Sequence, residues 1–166
     1  ARFSSARFVG RERELARLAD ALEVTAEGRS STILISGSSG LGASRLIDEA
    51  ERRIASLPET FAVVRCRARP GRAGDSYAPV AIGLERLVAG LPDRDLARVA
   101  GTGAEELAKL LPGIVSRLDG LGILPSRASV TEPERRQTRM LESILGLLVR
   151  IAEQTPIVLT LEDLQS

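Results

Sequence analysis

The chain has 166 residues, 43% of them hydrophobic and 27% charged, which is enough for one globular domain with a real core. A net charge of +1 with three Phe, one Tyr and no Trp gives no electrostatic or stacking case for nucleic acid, or for an anionic membrane surface. No histidine and one cysteine exclude zinc sites and histidine-based proton transfer, and no run nears the ~20 apolar residues that span a bilayer. With no secretory signal pattern, the expected location is cytoplasmic.

Residues before Phe8 read as a polar leader. From Arg11 to about Glu27, Leu15, Leu18, Ala19 and Leu22 recur at helical spacing, and Gly28 to Ser30 is the exit turn. Ser31-Thr-Ile-Leu-Ile-Ser36 is a short apolar, β-branched run that predicts a buried parallel strand. It leads into Gly37-Ser-Ser-Gly-Leu-Gly-Ala-Ser44, with the spacing G-x-x-x-x-G-[K]-[ST] of a phosphate loop. Glycines there let backbone N–H groups curl inward around a phosphate, and a helix opening near Gly42 adds its positive dipole end. That helix, running from Ser44, places Leu46, Ile47, Ala50 and Ile54 on one face.

The loop lacks its lysine, because Ala43 stands at that position. The ammonium that would meet the β and γ oxygens is therefore gone. Arg45 lies about 200° further around a helix and leaves on another face. Of 23 basic residues only Lys109 is a lysine, and it belongs to an unrelated segment. Binding through backbone donors with little hydrolysis is the expectation, against the plainer reading of a tight turn.

Downstream, Pro58 closes the helix and Phe61 to Arg67 is a strand. Cys66 on it reads as a packed, reduced thiol, or less simply as a reactive one activated by Arg65 and Arg67. Arg69 to Ser76 is an Arg/Gly-rich loop, and Pro79 opens a helix carrying Ile82, Leu84, Leu87 and Val88. A helical stretch from Asp93 to about Leu118 is broken at Gly101-Thr-Gly103 and Pro112-Gly113, and Gly120 to Ser129 reads as a loop. Thr131-Glu-Pro-Glu134 is a capping box for a long helix to about Gln154, with Met140, Leu141, Ile144, Leu145, Leu147, Leu148, Ile151 and Ala152 as a broad apolar face. Ile157 to Leu161 is a further strand, ending on Glu162 and Asp163. This is the strand-plus-acids pattern that P-loop NTPases set beside the phosphate loop. There one acid holds Mg²⁺ and the next polarises the attacking water. The plainer reading is two solvated acids.

With Phe8-Val-Gly-Arg-Glu-Arg-Glu-Leu15, Tyr77-Ala-Pro79, Leu111-Pro112, Arg139-Met-Leu141 and Leu161-Glu-Asp-Leu-Gln165, these motifs resemble the AAA-like and STAND-type ATPase modules of bacterial signalling proteins. Such modules precede helical repeats in LuxR-type (MalT-like) transcription regulators and accompany nucleotide cyclases. The resemblance implies an α/β, P-loop NTPase-like layered sheet, mainly parallel, with a helical insertion at about 78–154. One domain over 1–166 is expected, truncated after the acidic strand as the N-terminal part of a larger module.

The resemblance also implies ATP/ADP and Mg²⁺ as cofactors. The nucleotide would meet Phe8, Val9, Gly10 and Arg11 on its adenine and ribose side. Its phosphates would meet Gly37, Ser38, Ser39, Gly40, Leu41, Gly42, Ala43, Ser44 and Arg45. Ser44, Glu162 and Asp163 would serve the metal, with Asp163 as the catalytic residue. The expected role is an ATP-binding regulatory switch that hydrolyses slowly or not at all. Its partners would be nucleotide and neighbouring domains of the same polypeptide, with self-association through open strand edges. Two other readings stand beside it, a scaffold that binds no nucleotide and an ATPase completed by a basic residue from a neighbouring domain or subunit.

Overall fold

The phosphate-loop motif lies between two helices, α1 (Glu12–Ala26) and α2 (Ala43–Ile54). The computed structural model describes residues 8–38, 40–68, 77–124 and 133–163. It divides into two compact units, Ala1–Phe61 and Ala62–Ser166. In the N-terminal unit α1 and α2 touch, and Leu15, Leu46 and Ile54 are its buried apolar side chains. Both helices follow the apolar periodicity of the sequence. Glu12 and Glu14 favour the positive end of α1, as Arg52 and Arg53 favour the negative end of α2.

The strand expected at Ser31–Ser36 is not formed: residues 29–38 have no regular secondary structure. Leu34 is 87% exposed and Ile33 37%. An apolar, β-branched run becomes a buried strand only when a neighbouring strand takes its backbone groups and other elements cover its faces. Among the described residues no strand pairs with it.

In the C-terminal unit β1 (Ala62–Arg67) and β2 (Ile157–Glu162) form a parallel two-stranded sheet, with Ala62 opposite Ile157 and Arg67 opposite Glu162. The layered sheet expected from the sequence is therefore reduced to two strands among the described residues. Alternation puts Val64 and Cys66 on one face of β1 and Val63, Arg65 and Arg67 on the other. The first face meets α3 (Ala78–Ala89), where Gly83 leaves room for Val64 and Cys66.

The remaining helices are α4 (Asp93–Ala100), α5 (Ala104–Leu110), α6 (Val115–Gly120) and α7 (Pro133–Ala152). The breaks between them fall where glycine and proline predict, as 3-10 turns at Gly101–Gly103 and Pro112–Ile114. Leu84, Val88, Leu96, Leu107, Leu118 and Leu147 centre their common core. The apolar face of α7 divides, with Ile144, Leu147 and Ile151 buried and Leu141 and Leu145 exposed, and Val149, outside the expected face, is exposed beside them. The expected leader, the 69–76 loop, and Thr131 and Glu132 of the capping box lie outside the described residues.

Arginines join these short helices. Arg117 donates to the carbonyls of Val88 (3.3 Å) and Leu91 (2.6 Å) and to Asp93 Oδ1 (2.7 and 2.9 Å), tying the end of α3 to the start of α4. Arg150 of α7 reaches the last turn of α4, donating to the carbonyls of Val99 (2.7 Å) and Ala100 (3.1 Å). Side chains at Gly101 or Gly146 would crowd that guanidinium, since a Cβ there would lie 3.2 Å from Cζ or 3.0 Å from Nη1. A cation on helix-terminal carbonyls is favourable for both dipole and hydrogen bonding. Arg150→Met is accordingly expected to cost about 2 kcal/mol of stability in urea denaturation. A loss below about 0.5 kcal/mol, the range of ordinary surface substitutions, would contradict this role.

Candidate nucleotide site

The phosphate loop is built from backbone more than from side chains. Gly40 (φ 86°) and Gly42 (φ 82°) take left-handed conformations open to glycine, and a Cβ at either would meet nothing within 4 Å. The Leu41 N–H donates to the Ser38 carbonyl at 3.2 Å, closing the turn. Gly42 caps α2, whose first turn carries no acidic residue and whose N-terminus has no side-chain cap. The first helical bond runs from the Leu46 N–H to the Gly42 carbonyl (3.0 Å), so the N–H groups of the preceding turn have no partner within the helix. Ala43 begins α2, and Ser44 and Arg45 follow on its exposed surface. Ser39 lies outside the described residues.

The other N-terminal motif comes to the same loop. Gly10 (φ 83°) and Arg11 (φ 62°) are consecutive left-handed residues that turn the chain into α1. From there the Arg11 guanidinium donates through Nη2 to the Leu41 carbonyl, 30 positions away in sequence. Phe8, Val9 and Gly10, with Glu12, Leu15 and Arg53, line a shallow cleft of about 370 Å³. That volume is at the lower end of small-molecule sites. Glu12 belongs to the Phe8–Leu15 motif, whereas Arg53 comes from α2, and nothing in the chain order marks it.

The acidic motif belongs to the C-terminal unit. Glu162 is the last residue of β2, and Asp163 follows with φ 60°. Glu162 is 5% exposed, and its carboxylate accepts from Arg65 Nε on one oxygen and from Arg67 Nη2 (2.9 Å) on the other. Arg67 Nε also stands 3.7 Å from Asp163 Oδ2. Arg65 and Arg67 drew attention in the sequence only as neighbours of Cys66. Their alternate spacing on one strand was the available signal, but the parallel register is what delivers them to Glu162.

Cys66 faces the opposite way, is 2% exposed, and burial pushes its thiol pKa up from the ordinary value. This overturns the reading of Cys66 as an activated thiolate, since both flanking arginines are engaged on the other face. Lys109 sits in α5, where a hydrogen bond to Glu105 (2.9 Å), aided by Glu106 (3.1 Å), raises its pKa. It is a local ion-pair partner of these two acids.

The model of the AAA ATPase domain family matches residues 7–166, from the Phe8–Arg11 motif through the acidic strand. The chain belongs to this family. No curated protein and no solved structure matches it. AAA ATPase domains generally use ATP and Mg²⁺, and the two halves of that ligand fit this AAA domain unequally. The N-terminus of α2, with no side-chain cap and no acid in its first turn, favours an anion. The Glu162 carboxylate does not suit a divalent cation, because guanidinium groups already hold both of its oxygens. Among the described residues no cluster of three or more carboxylate or thiol ligands could hold a metal ion. Nor is any described helix long and apolar enough to cross a membrane.

Proposed function

We propose that this AAA domain binds ATP or ADP as a regulatory switch, with hydrolysis slow or absent. The observation that carries the reading is the Arg11 contact with Leu41, which joins the Phe8–Arg11 motif to the phosphate loop. Backbone N–H groups of Gly40 and of residues 42–44 at the N-terminus of α2 hold the phosphates, and the cleft at Phe8, Val9 and Gly10 takes the base and ribose. Occupancy of the loop bears on the start of α1 through Arg11, which gives a route from ligand to packing. Ala43 contributes no charge to the phosphates, which is the reason for slow turnover. In this reading the domain serves a cytoplasmic signalling or transcription-regulating protein of the LuxR-type group, and its partners are neighbouring domains of the same polypeptide.

A scaffold that binds no nucleotide is the second reading. The exposed row Leu141, Leu145 and Val149 on α7 favours it, as a surface for protein contacts. Isothermal titration separates the two. The switch predicts heat on adding ATP with a Kd on the order of 1 mM, the affinity left to uncharged donors. No heat at several times that concentration would remove the switch and leave the scaffold.

A further inference from the structure

We propose that Arg65 and Arg67 are a built-in cation for Glu162, so that guanidinium groups of the chain itself, and not a divalent metal, neutralise this buried acid. The inference goes beyond the nucleotide reading and stands without it, because every group involved lies in the C-terminal unit.

The geometry follows from the sheet. Parallel pairing sets Arg67 opposite Glu162 and Arg65 opposite Thr160, and two-residue alternation brings Arg65, Arg67 and Glu162 to one face. The Glu162 side chain is only 3% exposed, against 28% for Arg65 and 51% for Arg67. A carboxylate that deeply buried is costly unless its charge is met. Here Arg65 Nε takes one oxygen and Arg67 Nη2 the other at 2.9 Å. Charge-assisted bonds of this kind are about twice as strong as neutral ones, and the planar guanidinium suits a carboxylate well.

Mg²⁺ makes the opposite demands. It holds near-octahedral geometry, sheds water reluctantly and keeps several waters when bound. To reach Glu162 it would have to displace both guanidiniums and bring water to a buried carboxylate. The clamp therefore takes the place of the metal at Glu162, and Arg65 and Arg67 are positioning residues that hold the end of β2 against β1.

The decisive measurement is chemical denaturation of the whole protein in EDTA, without nucleotide. Glu162→Gln keeps the shape and one acceptor oxygen but removes the charge. The clamp predicts that it shifts the unfolding equilibrium about tenfold or more toward the unfolded state. It also predicts that Arg65→Met with Arg67→Met costs less in the Glu162→Gln background than in the wild type, as expected for groups in one network. Millimolar MgCl₂ should leave the wild-type midpoint where NaCl of equal ionic strength leaves it.

A carboxylate awaiting a metal predicts the reverse. Without the metal, Glu162 and Asp163 repel one another, so the amide is neutral or stabilising. An amide that does not destabilise, or a wild-type midpoint raised by Mg²⁺ beyond the NaCl control, overturns the clamp. Should Glu162→Gln fail to fold, the wild-type Mg²⁺ titration alone still decides. Since no nucleotide is present, none of these outcomes depends on whether the domain binds ATP.

Discussion

Gly83→Ala is expected to destabilise the protein by about 1–3 kcal/mol, the usual cost of overpacking a filled interior. The sign is what makes the experiment informative. Alanine for glycine inside a helix ordinarily stabilises by about 0.5–1 kcal/mol, because it lowers the freedom of the unfolded chain. At Gly83 the added methyl would stand 2.8 Å from Cys66 Sγ, 2.9 Å from Val64 Cγ1 and 3.3 Å from the Arg65 carbonyl. Cys66 and Val64 are themselves buried on β1 and the third neighbour is backbone, so α3 must lift from the strand.

Thiol labelling gives the same experiment a second readout. In the wild type Cys66 is buried with its pKa raised, and a thiol-specific reagent should react slowly with the native protein. Lifting α3 uncovers Cys66, so Gly83→Ala should label faster under native conditions. The raised pKa also has a sign for stability. The folded state holds the thiol proton more tightly than the unfolded chain, so this contribution is whole below the unfolded thiol pKa. It is lost as pH rises through the folded one. A Gly83→Ala protein as stable as the wild type, with unchanged labelling, would mean that α3 does not sit on β1 at this distance.

Ala43→Lys is expected to lower the Kd for ATP about tenfold, the difference made by one added charge-assisted contact. The loop around it is already formed, since Gly40 and Gly42 hold their left-handed conformations and leave open space. What the wild type lacks at that point is a cation from the helix itself. The substitution has a small opposing effect on stability. A positive charge in the first turn of α2 faces the positive end of the helix dipole and costs about 0.3–1 kcal/mol in the free protein. Affinity should therefore rise while stability without ligand falls slightly. That divergence distinguishes a phosphate contact from a general improvement in folding. Titration calorimetry reads the first quantity and urea denaturation the second. An unchanged Kd would show that the turn between Gly37 and Ser44 does not receive phosphate.

The helices were legible in the sequence because their causes are local. Apolar residues at helical spacing mark α1, α2, α3 and α7, and glycine and proline mark the breaks at Gly101–Gly103 and Pro112–Ile114. Both strands among the described residues, β1 and β2, were also visible as short apolar runs. Ser31–Ser36 is also a short run with apolar, β-branched residues and is no strand, because a strand is completed by a neighbour and composition does not supply one. The glycine spacing and absent lysine of the loop, and separately the paired acids that end β2, were readable along the chain.

What those groups touch was decided only by the fold. Arg11 reaches Leu41 across 30 positions because two left-handed residues turn it there. Arg67 reaches Glu162 across 95 positions because the parallel register brings them opposite one another. A shift of that register by one residue would put Glu162 on the other face from both arginines. Periodicity and turn chemistry act over a few residues and are written in their order. The partner of a buried charge depends on which distant strand lies alongside and in what register, and that is settled only when the chain packs.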